Sequence, residues 1–141
     1  MINKLPEDLP DCTVFLLGKV YQKAHGDFKK ILKPFGLTNM QHLVLEGLWY
    51  RQGTTATELG KFLILDKATL SGVLERLVEG NWIVKKEDSE DARSSCLYTS
   101  AKANTMKEQL IDARKQANDE LLSDFSMEER ILFKRFLRDL L

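Results

Sequence analysis

A short segment of the chain combines hydroxyl groups and basic side chains at helical spacing. Thr69, Ser71 and Arg76 follow Lys67 on what the pattern predicts to be the polar face of a helix. Hydroxyl groups reach base edges or phosphates, and a guanidinium can bridge O6 and N7 of guanine or clamp a phosphate. Backbone amides at a helix start also favour phosphate. These residue types predict a nucleic-acid-binding surface, with an ordinary solvated helix face as the alternative.

Two predicted helices position this segment. A T-x-x-E capping box at Thr55 begins a short helix over about 55–62. Asp66 is a good N-cap residue for a second helix over 67–79. The apolar residues of that second helix share one face, at spacings of three and four: Leu70, Val73, Leu74 and Leu77. We predict a helix-turn-helix whose second helix directs its N-terminal end at base edges.

A hairpin is predicted directly after this second helix. Asn81 stands where the helix must end, and Asn tolerates the left-handed conformation almost as well as Gly. Residues 82–86 and 95–99 have the composition of strands, with a polar turn over 88–93 between them. A hairpin that follows a recognition helix is a wing.

The order of motifs from Thr55 to Ser100 resembles the winged-helix core of the MarR family of transcriptional regulators. The family has an E-L-A helix, a T-L-S recognition start, an L-x-x-x-G-L-I exit and a D-P-x-D-x-R wing followed by L-T-x-x-G. The corresponding segments here are 58–60, 69–71, 77–83, 88–93 and 99–103. The departures are mild in character: Gly60, Asn81, Ser89, Thr99, Ser100 and Ala103 replace the family residues.

The resemblance implies a mainly α, single-domain fold over 1–141, with a winged helix-turn-helix core at about 38–100 and a small β-hairpin wing. Dimerisation helices at about 12–33 and 101–141 would flank that core. Arg93 is expected to contact the minor groove or the backbone, oriented by Asp91, with a surface ion pair as the alternative. The full set of expected DNA contacts is Thr57, Lys67, Ala68, Thr69, Ser71, Gly72, Arg76, Lys86, Arg93 and Ser94.

Helices are also predicted on both sides of the core. Capping signals begin helices at Thr38, Ser100 and Ser126, and Lys33-Pro34 ends the first helix. Residues 51–54 should form a short polar turn. The first helix carries an apolar heptad seam: Val14, Leu17, Tyr21, Ala24, Phe28 and Ile31. Such a seam and an apolar last helix favour a homodimer, whose two-fold axis would space two recognition helices by about 34 Å.

The charge balance does not by itself suggest nucleic acid. The chain has 21 basic and 21 acidic residues, and the winged core from 55 to 100 has six basic against eight acidic residues. The bases, however, lie on the predicted recognition helix and wing. We therefore expect DNA binding of modest affinity, with a slope of about 0.9 per phosphate neutralised in its salt dependence.

Aromatic and imidazole side chains on the first two helices would flank a cleft between the dimer base and the winged core. The MarR resemblance implies that such a cleft holds a small aromatic or phenolic effector, whereas simple core packing is at least as good an account of each residue. The expected cleft residues are Tyr21, His25, Phe28, Met40, His42 and Trp49. We expect no cofactor and no metal, because neither the two histidines nor Cys12 and Cys96 have ligand spacing.

The sequence therefore predicts a DNA-binding regulator, acting as a homodimeric repressor of a pseudo-palindromic operator and released by a small ligand. Enzyme motifs such as G-x-S-x-G, a phosphate loop or H-E-x-x-H do not occur. The alternatives are a winged-helix protein-interaction module and a thiol-based redox repressor using Cys12, whose neighbour Asp11 does not favour a reactive thiolate. We expect a cytoplasmic protein, because no membrane segment or leader is apparent.

Overall fold

The computed structural model describes residues 6–88, 90 and 94–141, and seventy per cent of these residues are helical. The elements are α1 Thr13–Leu32, α2 Asn39–Tyr50, β1 Thr54–Thr55, α3 Ala56–Leu63, α4 Lys67–Glu79, β2 Ile83–Glu87, β3 Ser95–Thr99, α5 Ala101–Leu121 and α6 Met127–Asp139. Short 3-10 turns precede α1 and follow it. No helix among the described residues is long and apolar enough to cross a membrane.

Local capping chemistry sets the helix boundaries, as the sequence predicts. Thr38, Thr55 and Ser126 each form a complete capping box with the Gln or Glu three residues later. Asp66 and Ser100 cap α4 and α5, and the side chain of each accepts one backbone N–H of its helix. These predictions are confirmed. The caps could be predicted from the sequence because each cap residue and its partner are only three positions apart.

The sheet is larger than the predicted hairpin. It has three antiparallel strands in the order β1-β3-β2, and β1 pairs Thr54 with Leu97. The expectation of a simple polar turn over 51–54 was therefore wrong at Thr54, which is buried in the sheet. Two residues are too short a strand to show alternation, and their pairing partner lies more than forty positions away. Trp82, which the sequence analysis placed in the first wing strand, lies outside that strand, because β2 begins at Ile83.

One hydrophobic core joins the winged part to the helices that flank it. Its fully buried side chains come from α1, α2, α3, α4, β3 and α5: Leu32, Val44, Leu45, Leu48, Leu59, Leu77, Leu97 and Leu110. A polar network adds to this contact, since the Trp49 indole N–H and the Thr99 hydroxyl both donate to Oδ1 of Asn104. This network fixes the wing strand β3, the start of α5 and the end of α2 to one another.

Candidate nucleic-acid interface

The turn between α3 and α4 brings the two helices into close contact. A Cβ on Gly60 would lie 3.3 Å from the Leu65 carbonyl oxygen and from Cδ2 of Leu70. The Leu65 amide donates to the Gly60 carbonyl at 2.9 Å. Between them Ile64 adopts a left-handed conformation with φ 56°. The pair is therefore a tight helix-turn-helix, and the missing side chain of Gly60 lets the two helices approach closely.

Helix α4 has two distinct faces. Leu70, Leu74 and Leu77 are buried against the core. The residues predicted to contact DNA from this helix are all exposed: Lys67, Ala68, Thr69, Ser71, Gly72 and Arg76. Thr57, on α3, is exposed as well. The structure thus brings the predicted helix contacts together on one solvent-facing surface.

The cap of α4 limits what Thr69 can do. Asp66 accepts the Thr69 backbone N–H at 2.8 Å and its hydroxyl proton at 2.7 Å. These two bonds, the backbone one first, hold the pKa of the Asp66 carboxyl below its ordinary value. Because the Thr69 hydroxyl already donates, its oxygen is left to accept a hydrogen bond, as from an adenine or cytosine amino group. A phosphate offers only acceptors, so Thr69 is suited to bases.

A groove of about 610 Å³ runs between α3, α4 and β2. Thr57 and Ser71 place hydroxyl groups in it, and Lys61, Lys67 and Lys85 add three ammonium groups. Among the described residues, Asp66 is the only acidic one in the lining, and its carboxylate is engaged by the α4 cap. The local charge of this surface is therefore positive although the winged core as a whole is not.

Adjacent lysines on β2 face opposite ways. Lys85 lines the groove and also a neighbouring depression of about 380 Å³, which Thr57, Ser94 and Ser95 line too. Lys86, which the sequence analysis expected to contact DNA, lies 5.0 Å from the centroid of the Tyr98 ring. Lys61 and Lys85 line the groove but were not among the expected contacts, and the period-2 alternation of a strand is the signal that could have separated Lys85 from Lys86.

The tip of the wing lies outside the described residues. This applies to the expected contact of Arg93 and to its predicted orientation by Asp91. The strands that carry the tip are described, and the Asp88 amide donates to the Ser94 carbonyl at 3.0 Å. Ser94 therefore sits at the base of the wing turn, next to the depression that Lys85 lines.

The six residues of the expected ligand cleft fall into separate contacts. Tyr21 and His25 have ring centroids 5.2 Å apart on the exposed face of α1. Phe28 meets the buried ring of His42 edge-on, with centroids 5.0 Å apart. Met40 is half-buried near the start of α2 and Trp49 is fixed to α5 by its indole N–H. Phe28 and His42 are thus the members that touch each other between α1 and α2.

His42 belongs to a polar cluster that joins α2 to α5. Its Nε2 lies 3.3 Å from the Leu110 carbonyl oxygen and 3.3 Å from Oε2 of Glu46. Arg114 binds both oxygens of the Glu46 carboxylate, at 2.6 and 2.8 Å. Burial lowers the pKa of His42, with Arg114 acting in the same direction, although Glu46 and the Leu110 carbonyl raise it. Neutral His42 therefore donates its Nε2 proton to the Leu110 carbonyl, while Glu46 raises the pKa of Arg114.

Two helices expose apolar side chains away from the core. On α1, Val14 and Tyr21 are 79% and 65% exposed. On α6, Ile131 and Phe136 are 61% and 52% exposed, and α6 buries no residue. These faces are the two that the sequence assigns to dimerisation. Cys12 precedes α1 and is exposed, whereas Cys96 is half-buried in β3.

The fold and the exposed face of α4 define a winged helix-turn-helix DNA-binding protein. The MarR family model matches residues 37–95. The organic hydroperoxide resistance transcriptional regulator of Bacillus subtilis (strain 168) is 30% identical over 98 residues, which cover 70% of this chain and 67% of that protein. The chain belongs to the MarR family of transcriptional regulators, which are DNA-binding proteins and not enzymes.

Solved structures share the fold over nearly the whole chain. A mutant MarR from E. coli complexed with operator DNA has a TM-score of 0.86 at 22% identity, covering 97% of this chain and 99% of that one. The transcriptional repressor CouR bound to a 23-mer DNA duplex has a TM-score of 0.89 at 20% identity, covering 98% and 99%. The predicted winged-helix fold is confirmed.

Proposed function

We propose that this regulator is a homodimeric repressor that binds a pseudo-palindromic operator through α4 and the wing. The observation that carries the proposal is the surface of α4 and its groove, where unburied hydroxyl and basic side chains surround an apolar floor. A helix that packs one face on the core and presents such groups on the other is suited to the major groove.

The side chains of α4 divide into base and backbone contacts by chemistry. Thr69 serves base edges, because its proton is committed to Asp66. Ser71 can donate or accept, and Arg76 suits a guanine edge or a phosphate. Lys67 and Lys61, at the rim of the groove, suit phosphates, which position the protein without reading sequence.

The wing adds contacts beside the groove. Lys85 lies between the helix-turn-helix and the wing, within reach of a backbone that crosses both. Ser94 adds a polar group at the base of the wing turn, and Arg93, which precedes it in the sequence, is a further proposed contact. Basic side chains that reach into or along a minor groove gain from its negative potential.

The homodimer rests on the apolar faces of α1 and α6. Burying large apolar side chains contributes roughly 25 cal/mol for each Å² removed from water, and these faces have no other cover within the described chain. An isologous interface brings each face against its copy. Two α4 helices would then lie about 34 Å apart, one turn of DNA.

Repression follows from occlusion of the promoter, and release from a small effector that binds a dimer with wrongly spaced helices. A small aromatic or phenolic molecule is the proposed effector, with Tyr21, His25, Phe28, Met40, His42 and Trp49 as the cleft residues. Such a ligand lowers operator affinity only through its different affinity for the two conformations. A ligand that binds tightly and leaves operator affinity unchanged contradicts this control.

The test is a titration of the protein against the DNA upstream of its own gene, at two salt concentrations and beside a scrambled duplex. The proposal predicts tighter binding to the upstream DNA and an affinity that falls as salt rises. Absent or salt-insensitive binding would instead favour a winged-helix module that binds proteins.

A further inference from the structure

Three consecutive carbonyl groups fasten the segment that leaves α4 to the start of α5. The Gly80 oxygen accepts from Nζ of Lys102 at 3.0 Å, and the Asn81 oxygen accepts from Oγ of Ser100 at 2.6 Å. The Trp82 oxygen accepts from the Ser100 backbone amide at 2.9 Å. Carbonyls at a helix C-terminus have no partner within the helix. Here the beginning of another helix supplies all three partners.

Lys102 is the charged member of this latch, which consists of residues 80–82, Ser100 and Lys102. Its ammonium lies 4.3 Å from the centroid of the Trp82 ring, within cation–π range. The same ammonium stands at the C-terminal end of α4, where the helix dipole favours a cation. Trp82 is buried, so its indole is an immobile platform for the contact.

The chain has little room to shift at this point. A Cβ on Gly80 would come within 2.9 Å of Cδ1 of Trp82, so backbone and indole are already in close contact. Asn81 has a left-handed backbone with φ 59°, which turns the chain towards β2. At this point α4 has one defined exit direction, which the latch ties to the start of α5.

The latch acts on the DNA surface through the length of α4. Thirteen residues of helix span about 18 Å between Lys67 and Glu79, so a tilt of about 5° at the latch moves the N-terminal turn by roughly 1.5 Å. Hydrogen bonds to base edges are lost over such a distance. The contact residues from Lys67 to Gly72 lie in the first half of α4, whereas Lys102, on α5, binds at the C-terminal end of α4.

We propose that Lys102 is a positioning residue for operator binding, which sets the angle of the recognition helix without contacting DNA. This inference rests on the proposed function, since the positioned surface is the operator-binding one. Because α5 is also a proposed dimerisation helix, the latch fixes α4 relative to the two-fold axis of the dimer.

The test compares the wild type with Lys102→Met, which keeps the apolar stem and removes the donor and the charge. Lys102→Arg restores both, and Lys115→Met removes a lysine from an exposed position on the same helix. Operator affinity is measured over a salt series, with melting temperatures for every variant. Lys102→Gln, which keeps a donor, replaces the methionine variant if that variant melts below the assay temperature.

We expect Lys102→Met to weaken operator binding by about tenfold, the size of effect found for residues that touch neither ligand. The salt slope should stay at the wild-type value, Lys102→Arg should recover most of the affinity, and Lys115→Met should change nothing. Unchanged affinity in Lys102→Met overturns the inference. So does a slope that falls by about 0.9, since that identifies a direct phosphate contact. Failure of the wild type to bind the upstream DNA is a separate result, which removes the proposed function itself.

Discussion

Lys85 and Lys86 are neighbours in β2, and their ammonium groups serve opposite faces of the sheet. Lys85 shares its face with Leu97, its partner in β3, and lines the groove beside α3 and α4. Lys86 stands over the ring of Tyr98 on the other face. The two residues have the same chemistry and differ in placement, so they form a natural pair for testing where DNA lies.

Lys85→Ala should weaken operator binding and lower the salt slope by about 0.9, because one phosphate contact is lost. Lys86→Ala is the matched control and should change both quantities less, since its ammonium does not line the groove. Fluorescence anisotropy over a salt series measures both. Equal losses of affinity in the two variants would show that the DNA backbone does not follow the protein groove between α3, α4 and β2.

Gly72 tests how closely the backbone of α4 approaches the DNA. Nothing lies within 4 Å of a Cβ built at Gly72, so Gly72→Ala should stabilise the fold by roughly 0.5–1 kcal/mol. The added methyl group should nevertheless weaken operator binding if this turn of α4 enters the major groove of the DNA. Gly26→Ala, at an equally open position on α1, is the control for helix propensity. Undiminished affinity in Gly72→Ala would remove Gly72 from the contact surface.

Ile64 stores backbone strain in the turn of the helix-turn-helix. It is a β-branched residue at φ 56°, and its side chain is 91% exposed. The left-handed conformation costs a non-glycine residue about 1–2 kcal/mol, which exceeds the entropy that glycine loses on folding. Ile64→Gly should therefore raise the free energy of unfolding by about 0.5–1 kcal/mol in urea titration.

Asn81→Gly is the control for that measurement. Asn81 has a similar φ of 59°, but asparagine tolerates this region. The gain should accordingly be smaller than at Ile64. A destabilised Ile64→Gly variant would mean that the isoleucine side chain contributes packing that its exposure does not suggest.

The buried His42 should make stability depend on pH. Its folded-state pKa is lowered, mainly by burial, whereas an unfolded histidine has a pKa near 6.5. Below about pH 6.5 the unfolded chain takes up a proton that folded His42 resists, so stability falls as the pH drops through that value. Above about pH 6.5 both the folded and the unfolded chain hold a neutral His42, so its contribution to stability is fully present.

Melting temperatures of the wild type and of His42→Gln, taken from pH 7.5 to 5.5, measure this dependence. The variant should be less stable at neutral pH and should decline less steeply on acidification. His25→Gln, at an exposed position on α1, should retain the wild-type decline. Parallel curves for all three proteins would contradict the assignment to His42.

The parts of the fold that sequence alone predicts are those held by near neighbours. Capping boxes at Thr38, Thr55 and Ser126 place helix starts because donor and acceptor are three residues apart. The left-handed conformation of Asn81 is confirmed as well, because it follows from the backbone preference of asparagine itself. The face of α4 follows from its apolar spacing, so its exposed residues could be predicted individually.

The remaining features depend on contacts between distant residues. Strand β1 exists only through its pairing with β3. The bond between Arg114 and Glu46 joins positions 68 apart, and that between Lys102 and Gly80 joins positions 22 apart. The place of Lys85 in the groove was not predicted, because it depends on which face of β2 packs towards the helices. Composition also misled, since the net negative charge of the winged core conceals a positive groove.

Binding of a homodimer to an operator is tested most directly by the composition and the footprint of the complex with upstream DNA. Native mass spectrometry gives the number of 16.2 kDa chains on one duplex, and hydroxyl-radical cleavage maps the protected positions. A homodimer on a pseudo-palindromic operator should give two chains per duplex and two protected segments about one helical turn apart. One chain per duplex, or a single unpaired protected segment, would contradict it.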